Sequence, residues 1–317
     1  MKVLITPRSF GKYDDEPYRI LQARGVKVVE NETGSVLSES QMIARIEDVD
    51  GIIAGVDPLN ENVLKHAKNL KAIAKYGVGT DNIDLDYCKK HGIAVSITKN
   101  ANRNAVADYT FALMLNVARR VTEINNGCKN GDWSKKVSLD VFGKKLGVIG
   151  LGAIGRGVIH RAEGFDMQIY GYDVFHDDVF LEDNQVNFTD VETIFKECDF
   201  ITLHVPLIPS TKNLVNAEML SKAKKNLVIV NAARGGIIND TDLYNALVNK
   251  QIFGAGLDVF QTHDPQHSKL LELPNCIVGS HTAASSQGAV NSMSLRAVSN
   301  LMRDLNSKLE QEDNVAV

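Results

Sequence analysis

Cysteine is scarce: Cys88, Cys128, Cys198 and Cys276 are the only four, and none forms a CxxC. That spacing excludes a zinc knuckle and a disulfide framework and leaves isolated thiols in a reducing compartment. Long apolar runs are missing as well. The opening MKVLITPRSFGK has one short apolar burst closed by Thr-Pro, too short for a signal peptide, and no run approaches the ~18 residues of a membrane span. A cytoplasmic protein without a membrane partner is expected. Excess positive charge is also lacking, since 35 Lys and Arg stand against 39 Asp and Glu for a net charge of -4. Nucleic acid and acidic membrane surfaces are therefore not expected partners. What remains is a globular composition, 44% apolar and 23% charged over 317 residues. That length exceeds one ordinary core, predicts two domains at roughly 100–200 residues each, and implies a cleft.

The first hundred residues alternate short β-rich runs with helical segments: KVLIT at 2–6, VKVVE at 26–30, GIIAG at 51–55, KAIAKY at 71–76 and IAVSI at 93–97. The helices between them carry local signals. Ser38 and Gln41 have capping-box spacing, Pro58 opens a helix, and two helical stretches end in glycine, QARG and KKHG. Five strands with four helices make a parallel α/β domain. Residues 104–121 are apolar around most of a helical circumference, which predicts a buried helix at a domain join or subunit contact. A polar linker, TEINNGCKNGDWSKK, is expected after it. Six further strands follow, in KLGVIG, QIYGYD, FITLHVPL, NLVIVNAARGG, FGAGLDVF and NCIVGSH. Beyond them Val290, Met293, Ala297, Leu301 and Leu305 recur at helical spacing. With the second domain already complete, this helix is expected to return to the first. The expectation is therefore a substrate domain of residues 1–98 plus 285–317, with a nucleotide domain of residues 99–284 inserted into it.

Gly150, Gly152 and Gly155 form GxGxxG directly after the strand KLGVI and at the start of a helix. In that context the first glycine allows the tight turn, the second lets a pyrophosphate approach the backbone, and the third lets helix and strand pack closely. The helix N-terminus presents free amides to the phosphates. Asp173 closes QIYGYD eighteen residues on, placed to accept hydrogen bonds from the adenosine ribose and to repel a 2′-phosphate. Asp177, Asp178, Glu182 and Asp183 follow without a Lys or Arg among them, so NAD is favoured over NADP.

The chain resembles the D-isomer-specific 2-hydroxyacid dehydrogenases over almost its whole length. The resemblance is carried by YGVGTDNIDL at 76, NRNAVADYTFALML at 102, GVIGLGAIGRG at 147, LHVPLIPSTKNLVN at 203, VNAARGGIIND at 230, AGLDVF at 255 and GSHTAAS at 279. The first and fifth of these look closest to phosphoglycerate dehydrogenases, here without a carboxy-terminal regulatory domain. The resemblance implies a flavodoxin-like substrate domain and a Rossmann domain, both doubly wound parallel sheets, in a homodimer. It implies hydride transfer between nicotinamide and C2 of a D-2-hydroxy or 2-oxo acid, with 3-phosphoglycerate and phosphohydroxypyruvate as one candidate pair. The domains are expected to close on the bound pair to keep water out. The same fold also serves NAD-sensing corepressors, so a non-enzymatic scaffold is the alternative.

The resemblance implies a triad of arginine, acid and histidine. Arg234 follows the apolar strand LVIV, at the carboxyl end where ligands bind, and its planar fork suits a carboxylate. His281 closes NCIVGSH, and an imidazole can exchange a proton near neutral pH. His204 in LHVPL is its rival at another strand end, read as lining the cofactor site. For the acid, DVFQTHDP is one residue longer than the family pattern. Asp264 then precedes Pro265, while His263 takes the counted position. Two readings stand: Asp264 supports His281, or the acid has been lost. A metal reading of His263 and His267 lacks a third nearby ligand. Ser280 stands where the family commonly has proline, which bears on the pose of His281. To the cofactor contacts the resemblance adds Ala153, Ile154, Val205, Pro206, Ala232, Ala233, Asp258 and Ala284. It assigns the substrate carboxylate to the loop of Gly77, Val78 and Gly79. Arg8, with Lys12 and Arg103, is either a phosphate contact or a solvated cation.

Overall fold

The computed structural model describes residues 1–262 and 265–315. The chain divides into two compact units, Met1–Asn102 with Ser285–Val317, and Arg103–Ala284.

The first unit is a five-stranded parallel sheet of β1 (Lys2–Ile5), β2 (Lys27–Glu30), β3 (Gly51–Ala54), β4 (Ala72–Lys75) and β5 (Ala94–Ile97), in the order β2-β1-β3-β4-β5. This is the flavodoxin-like winding. β3 and β4 are buried at every residue, as central strands with both faces covered must be. The edge strand β2 can carry Lys27 and Glu30 in the open. Leu37, Met42, Ile46, Leu64 and Cys88 cover one face. The other packs against Phe10, Leu21 and the last helix, Gln287–Val315, through Ala297, Leu301 and Leu305.

Local signals explain most helix ends. Ser38 and Gln41 close a capping box on the helix Glu39–Ile46, and Gly25 and Gly92 take the left-handed conformation that follows a helix, at φ 68° and 69°. Pro58 does not open its helix, however. Asn60 caps Glu61–Leu64 by accepting a hydrogen bond from the Val63 amide, a stronger start signal than a proline two residues earlier.

The second unit is a seven-stranded parallel sheet of β6 (Lys145–Ile149), β7 (Gln168–Tyr172), β8 (Asn187–Phe188), β9 (Phe200–Leu203), β10 (Val228–Asn231), β11 (Gly254–Leu257) and β12 (Cys276–Val278). Its order is β12-β11-β10-β9-β6-β7-β8. The winding reverses direction between β6 and β9, the switch point where open sheets bind ligands. β8 is one strand more than the sequence predicts. It has two residues, both exposed, so it leaves no apolar signature.

The helix Arg103–Arg119 lies within this unit's own core, burying Val106, Phe111, Leu113, Met114 and Val117. Two glycines of β11 let it come close: a Cβ on Gly254 would sit 2.5 Å from Val117 Cγ1, and one on Gly256 2.9 Å from Leu113 Cβ. The helix stops short of residue 121, and the segment expected as linker is partly helical, Val121–Lys129. Arg120 breaks the two at φ 55°, and the Thr122 amide donates to Asn116 Oδ1 at 2.9 Å. The second helix buries no side chain, so its polar composition reads as linker. Among the described residues no helix is long and apolar enough to cross a membrane, and no group of three or more metal-ligating side chains occurs. Cys88, Cys198 and Cys276 are buried, and burial pushes their thiols up to about 11, 12 and 12; Cys128 is half-buried.

Candidate active site

In the second unit the glycine turn joins β6 to the helix Ala153–Glu163. Gly150 has φ 101°, and a Cβ there would lie 2.6 Å from the carbonyl of His204. A Cβ on Gly155 would lie 2.0 Å from Gly150 O, so turn and helix can close only on two glycines. Gly152 differs in kind. As N-cap it gives the helix no side-chain cap, and a Cβ there would meet nothing within 4 Å. Uncapped amides of Ala153, Ile154 and Gly155 beside open space fit a dinucleotide pyrophosphate. Asp173 follows β7. Its Oδ2 accepts from the Leu151 amide at 2.6 Å and its Oδ1 from Phe175 at 3.0 Å, which ties the acid to the glycine turn.

His204, Val205 and Pro206 leave the end of β9. Part of His204 reaches the surface, yet both ring nitrogens are buried and meet no hydrogen-bond partner. Burial pushes its pKa down to about 4 from 6.5. A ring that stays neutral when folded weakens folding as pH falls. Above about pH 6.5 both states are neutral; between 6.5 and 4 only the unfolded chain takes up the proton; below 4 the loss levels off near ~3 kcal/mol. The stability advantage of the wild type over His204→Gln should therefore shrink by about that amount between pH 7 and pH 4 in denaturant titrations. A gap independent of pH would contradict a buried neutral imidazole.

Arg234 stands in the turn after β10. Asn231, 2% exposed, grips this turn from both sides: its Oδ1 accepts from the Ala233 amide at 3.0 Å and its Nδ2 donates to Arg234 O at 2.9 Å. Gly235 lies so close to Phe260 that a Cβ would fall 1.6 Å from its carbonyl oxygen, and Gly236 has φ 84°. The half-buried guanidinium donates from Nη1 to Ala233 O at 2.7 Å. Ala232 is half-buried in the same turn.

His281 follows β12 with an exposed ring and φ 57°, a left-handed backbone that histidine adopts more readily than most residues. Its amide donates to Asp258 O at 2.9 Å. Asp258, 1% exposed at the end of β11, accepts from Thr282 at 2.9 Å and from Ala283 at 2.8 Å, one amide per carboxylate oxygen. Desolvation raises its pKa, and these amides and His281 oppose the rise. Asp258 thus holds the loop that carries His281 and leads to the half-buried Ala284. A Cβ on Gly279 would lie 2.3 Å from Asp258 Oδ1. Asp264 and His263 lie outside the described residues.

All these groups leave the carboxyl ends of neighbouring strands, β7, β6, β9, β10, β11 and β12. Arg234 and His281 stem from strands two apart, about 10 Å at the backbone. A groove of about 620 Å³ lies elsewhere, among Lys225, Ile252, Phe253 and Asn275. Those residues precede β10, β11 and β12 and so mark the opposite edge of the sheet.

In the first unit Gly77 follows β4 at φ 128°. Its amide donates to Thr98 Oγ1 at 2.8 Å and its carbonyl accepts from the Thr98 amide at 3.0 Å. Val78 is 38% exposed and Gly79 half-buried. Buried Lys75 anchors the base of this loop, its Nζ donating to Asn82 Oδ1 at 2.8 Å and to Gly55 O. Arg8 is exposed just after β1. Sequence reasoning missed Lys75, Asn82 and Asn231. An asparagine two residues before an amide it can accept is the one legible signal among them.

A doubly wound parallel sheet with this glycine turn, and an acid after its second strand, defines a dinucleotide-binding unit. The family profile "D-isomer specific 2-hydroxyacid dehydrogenase, NAD binding domain" matches residues 111–283. A hydroxypyruvate reductase of Thermotoga maritima is 37% identical over 279 residues, 86% of this chain and 90% of that one. A D-3-phosphoglycerate dehydrogenase of Methanocaldococcus jannaschii is 35% identical over 293 residues, 91% of this chain but 54% of its own length. The chain thus spans about half of that relative. Among solved structures, TT0316 protein from Thermus thermophilus superposes with a TM-score of 0.89 at 33% identity over 97% of both chains. D-lactate dehydrogenase from Aquifex aeolicus, complexed with NAD and lactic acid, does so at 0.83 and 28% over 98% of both. The chain belongs to the D-isomer specific 2-hydroxyacid dehydrogenase family, and its second unit is the NAD-binding domain of that family.

Proposed function

We propose that this NAD-dependent dehydrogenase interconverts a small 2-oxo acid and its D-2-hydroxy acid, with hydroxypyruvate and phosphohydroxypyruvate the leading oxo acids. One observation carries the reading: a guanidinium and an imidazole, each on a loop gripped by a buried side chain, leave the same sheet edge as the glycine turn. The nicotinamide, when bound, gives or takes the hydride at C2. Arg234 holds the substrate carboxylate through its fork, and His281 exchanges the proton of the C2 oxygen. Asp264 is the acid proposed to support that imidazole. The loop of Gly77, Val78 and Gly79 is proposed as a carboxylate-binding loop, and Arg8 as a phosphate contact. Ala232, Ala233, Val205, Pro206 and Ala284 line the cofactor.

The hydroxypyruvate and glyoxylate reductases among the relatives support a short oxo acid as much as the phosphoglycerate dehydrogenases support a phosphorylated one. We further propose a homodimer. Trp133 and Val137, 80% and 88% exposed in the segment after the helix Val121–Lys129, are apolar surface that a second copy would cover.

The test is NADH oxidation against hydroxypyruvate, phosphohydroxypyruvate, glyoxylate, pyruvate and branched 2-oxo acids, with sedimentation of the same preparation. Turnover is expected with hydroxypyruvate or its phosphate ester, from a species of twice the chain mass. NADH binding without oxidation by any of the five would leave a cofactor-sensing scaffold, and a single-chain mass would remove the dimer.

A further inference from the structure

Beside Asp173 stands a cation that the proposed reaction does not use. Arg156 follows the third glycine of the turn. Its Nε donates to Leu151 O at 2.9 Å, its Nη2 donates to Asp177 Oδ2 at 2.6 Å, and its guanidinium lies 4.1 Å from the ring centre of Phe180. Leu151 is also the residue whose amide donates to Asp173 Oδ2. The guanidinium and the ribose acid therefore hold one residue by its carbonyl and its amide, which places them next to each other. His176 and Asp178, with Nδ1 3.6 Å from Oδ1, are the other charged or titratable pair on this turn.

In dinucleotide sites an arginine near the ribose acid is what accommodates a 2′-phosphate. Here that arginine is already engaged. We propose that the Arg156–Asp177 ion pair is a second device selecting NAD over NADP, in which Asp177 occupies the guanidinium that would otherwise receive a 2′-phosphate. It acts beside the repulsion from Asp173 and rests on reading Asp173 as the ribose acid. Arg156 and Asp177 are 35% and 31% exposed, so the pair is open to a cofactor phosphate, and pairs of this exposure bias an equilibrium only a few-fold.

Asp177 has a structural duty too. Its Oδ1 accepts from the Phe180 amide at 3.2 Å and caps the helix Asp178–Asp183. Asparagine caps a helix about as well as aspartate, so Asp177→Asn removes the charge and keeps the cap. A purely structural role would shift NADH and NADPH affinity together, so the informative quantity is their ratio, read from the fluorescence of bound NADH and NADPH in paired titrations. Asp177→Asn is expected to raise the NADPH-to-NADH affinity ratio about fivefold, and adding Arg156→Met should abolish the gain. An unchanged ratio in Asp177→Asn overturns the proposal, as does a gain that survives Arg156→Met. Asp173→Ser, titrated in parallel, should raise the ratio by itself. If it does not while Asp177→Asn does, the repulsion assigned to Asp173 fails and the ion pair remains as the selecting device.

Discussion

The Arg234→Ala variant should bind NADH with near wild-type affinity and lose on the order of a thousandfold in kcat/KM toward its 2-oxo acid. The turn around Arg234 has supports besides its own side chain, whose Nη1 donates to Ala233 O. Asn231 holds the Ala233 amide and the Arg234 carbonyl, both backbone groups, and Gly235 is packed under Phe260 O. Truncation should therefore leave Ala232 and Ala233 in place while removing the fork proposed to bind the substrate carboxylate and its bond to Ala233 O. Arg234→Lys keeps the charge but presents a compact ammonium in place of two parallel donors, and should recover a minor part of the loss. Stopped-flow fluorescence measures NADH binding and initial rates measure kcat/KM. A parallel fall in both would make Arg234 a structural residue and remove it from the proposed site.

His281→Asn should lower kcat by a factor between about a hundred and ten thousand, the range spanned by positioned general acids and bases. Asparagine is the informative replacement because it tolerates the left-handed backbone at φ 57°. The loop has its own support in Asp258, whose carboxylate binds the Thr282 and Ala283 amides whatever residue stands at 281. The loss should thus appear in the chemical step, with unfolding midpoint and NADH affinity close to wild type. A variant retaining more than a tenth of wild-type kcat would exclude His281 as the proton carrier and bring His204 forward, although the buried ring nitrogens of His204 are poorly placed to exchange protons.

Much of this architecture was legible in the order of residues. Alternation of short apolar runs with capped helices announced both parallel sheets, and the glycines at 150, 152 and 155 announced the turn because each has a distinct steric duty there. Two kinds of feature stayed hidden. β8 and the helix Val121–Lys129 bury little or nothing, and periodicity registers only what is buried. The supports of the site were hidden for another reason. That Asp258 holds the His281 loop and that Lys75 reaches Gly55 O below the loop at Gly77 are facts about partners brought together by chain crossings, whereas Asn231 holds the Arg234 turn from only two and three residues away. Asp258 shows the limit well: the resemblance implies a cofactor contact, and nothing in the order of residues discloses that its carboxylate also binds two amides of a neighbouring loop.

The helix Gln287–Val315 packs through Ala297, Leu301 and Leu305 on the face that holds Ile53, Ala72 and Ala74. Synthesis runs from the amino end, so a ribosome delivers all of Arg103–Ala284 before that cover exists. The earliest-made sheet must wait with one oily side only partly sheltered, by Phe10 and Leu21, while its later-made neighbour can already mature. Nascent chains stalled near position 290 should consequently recruit chaperones to the amino-terminal hundred residues.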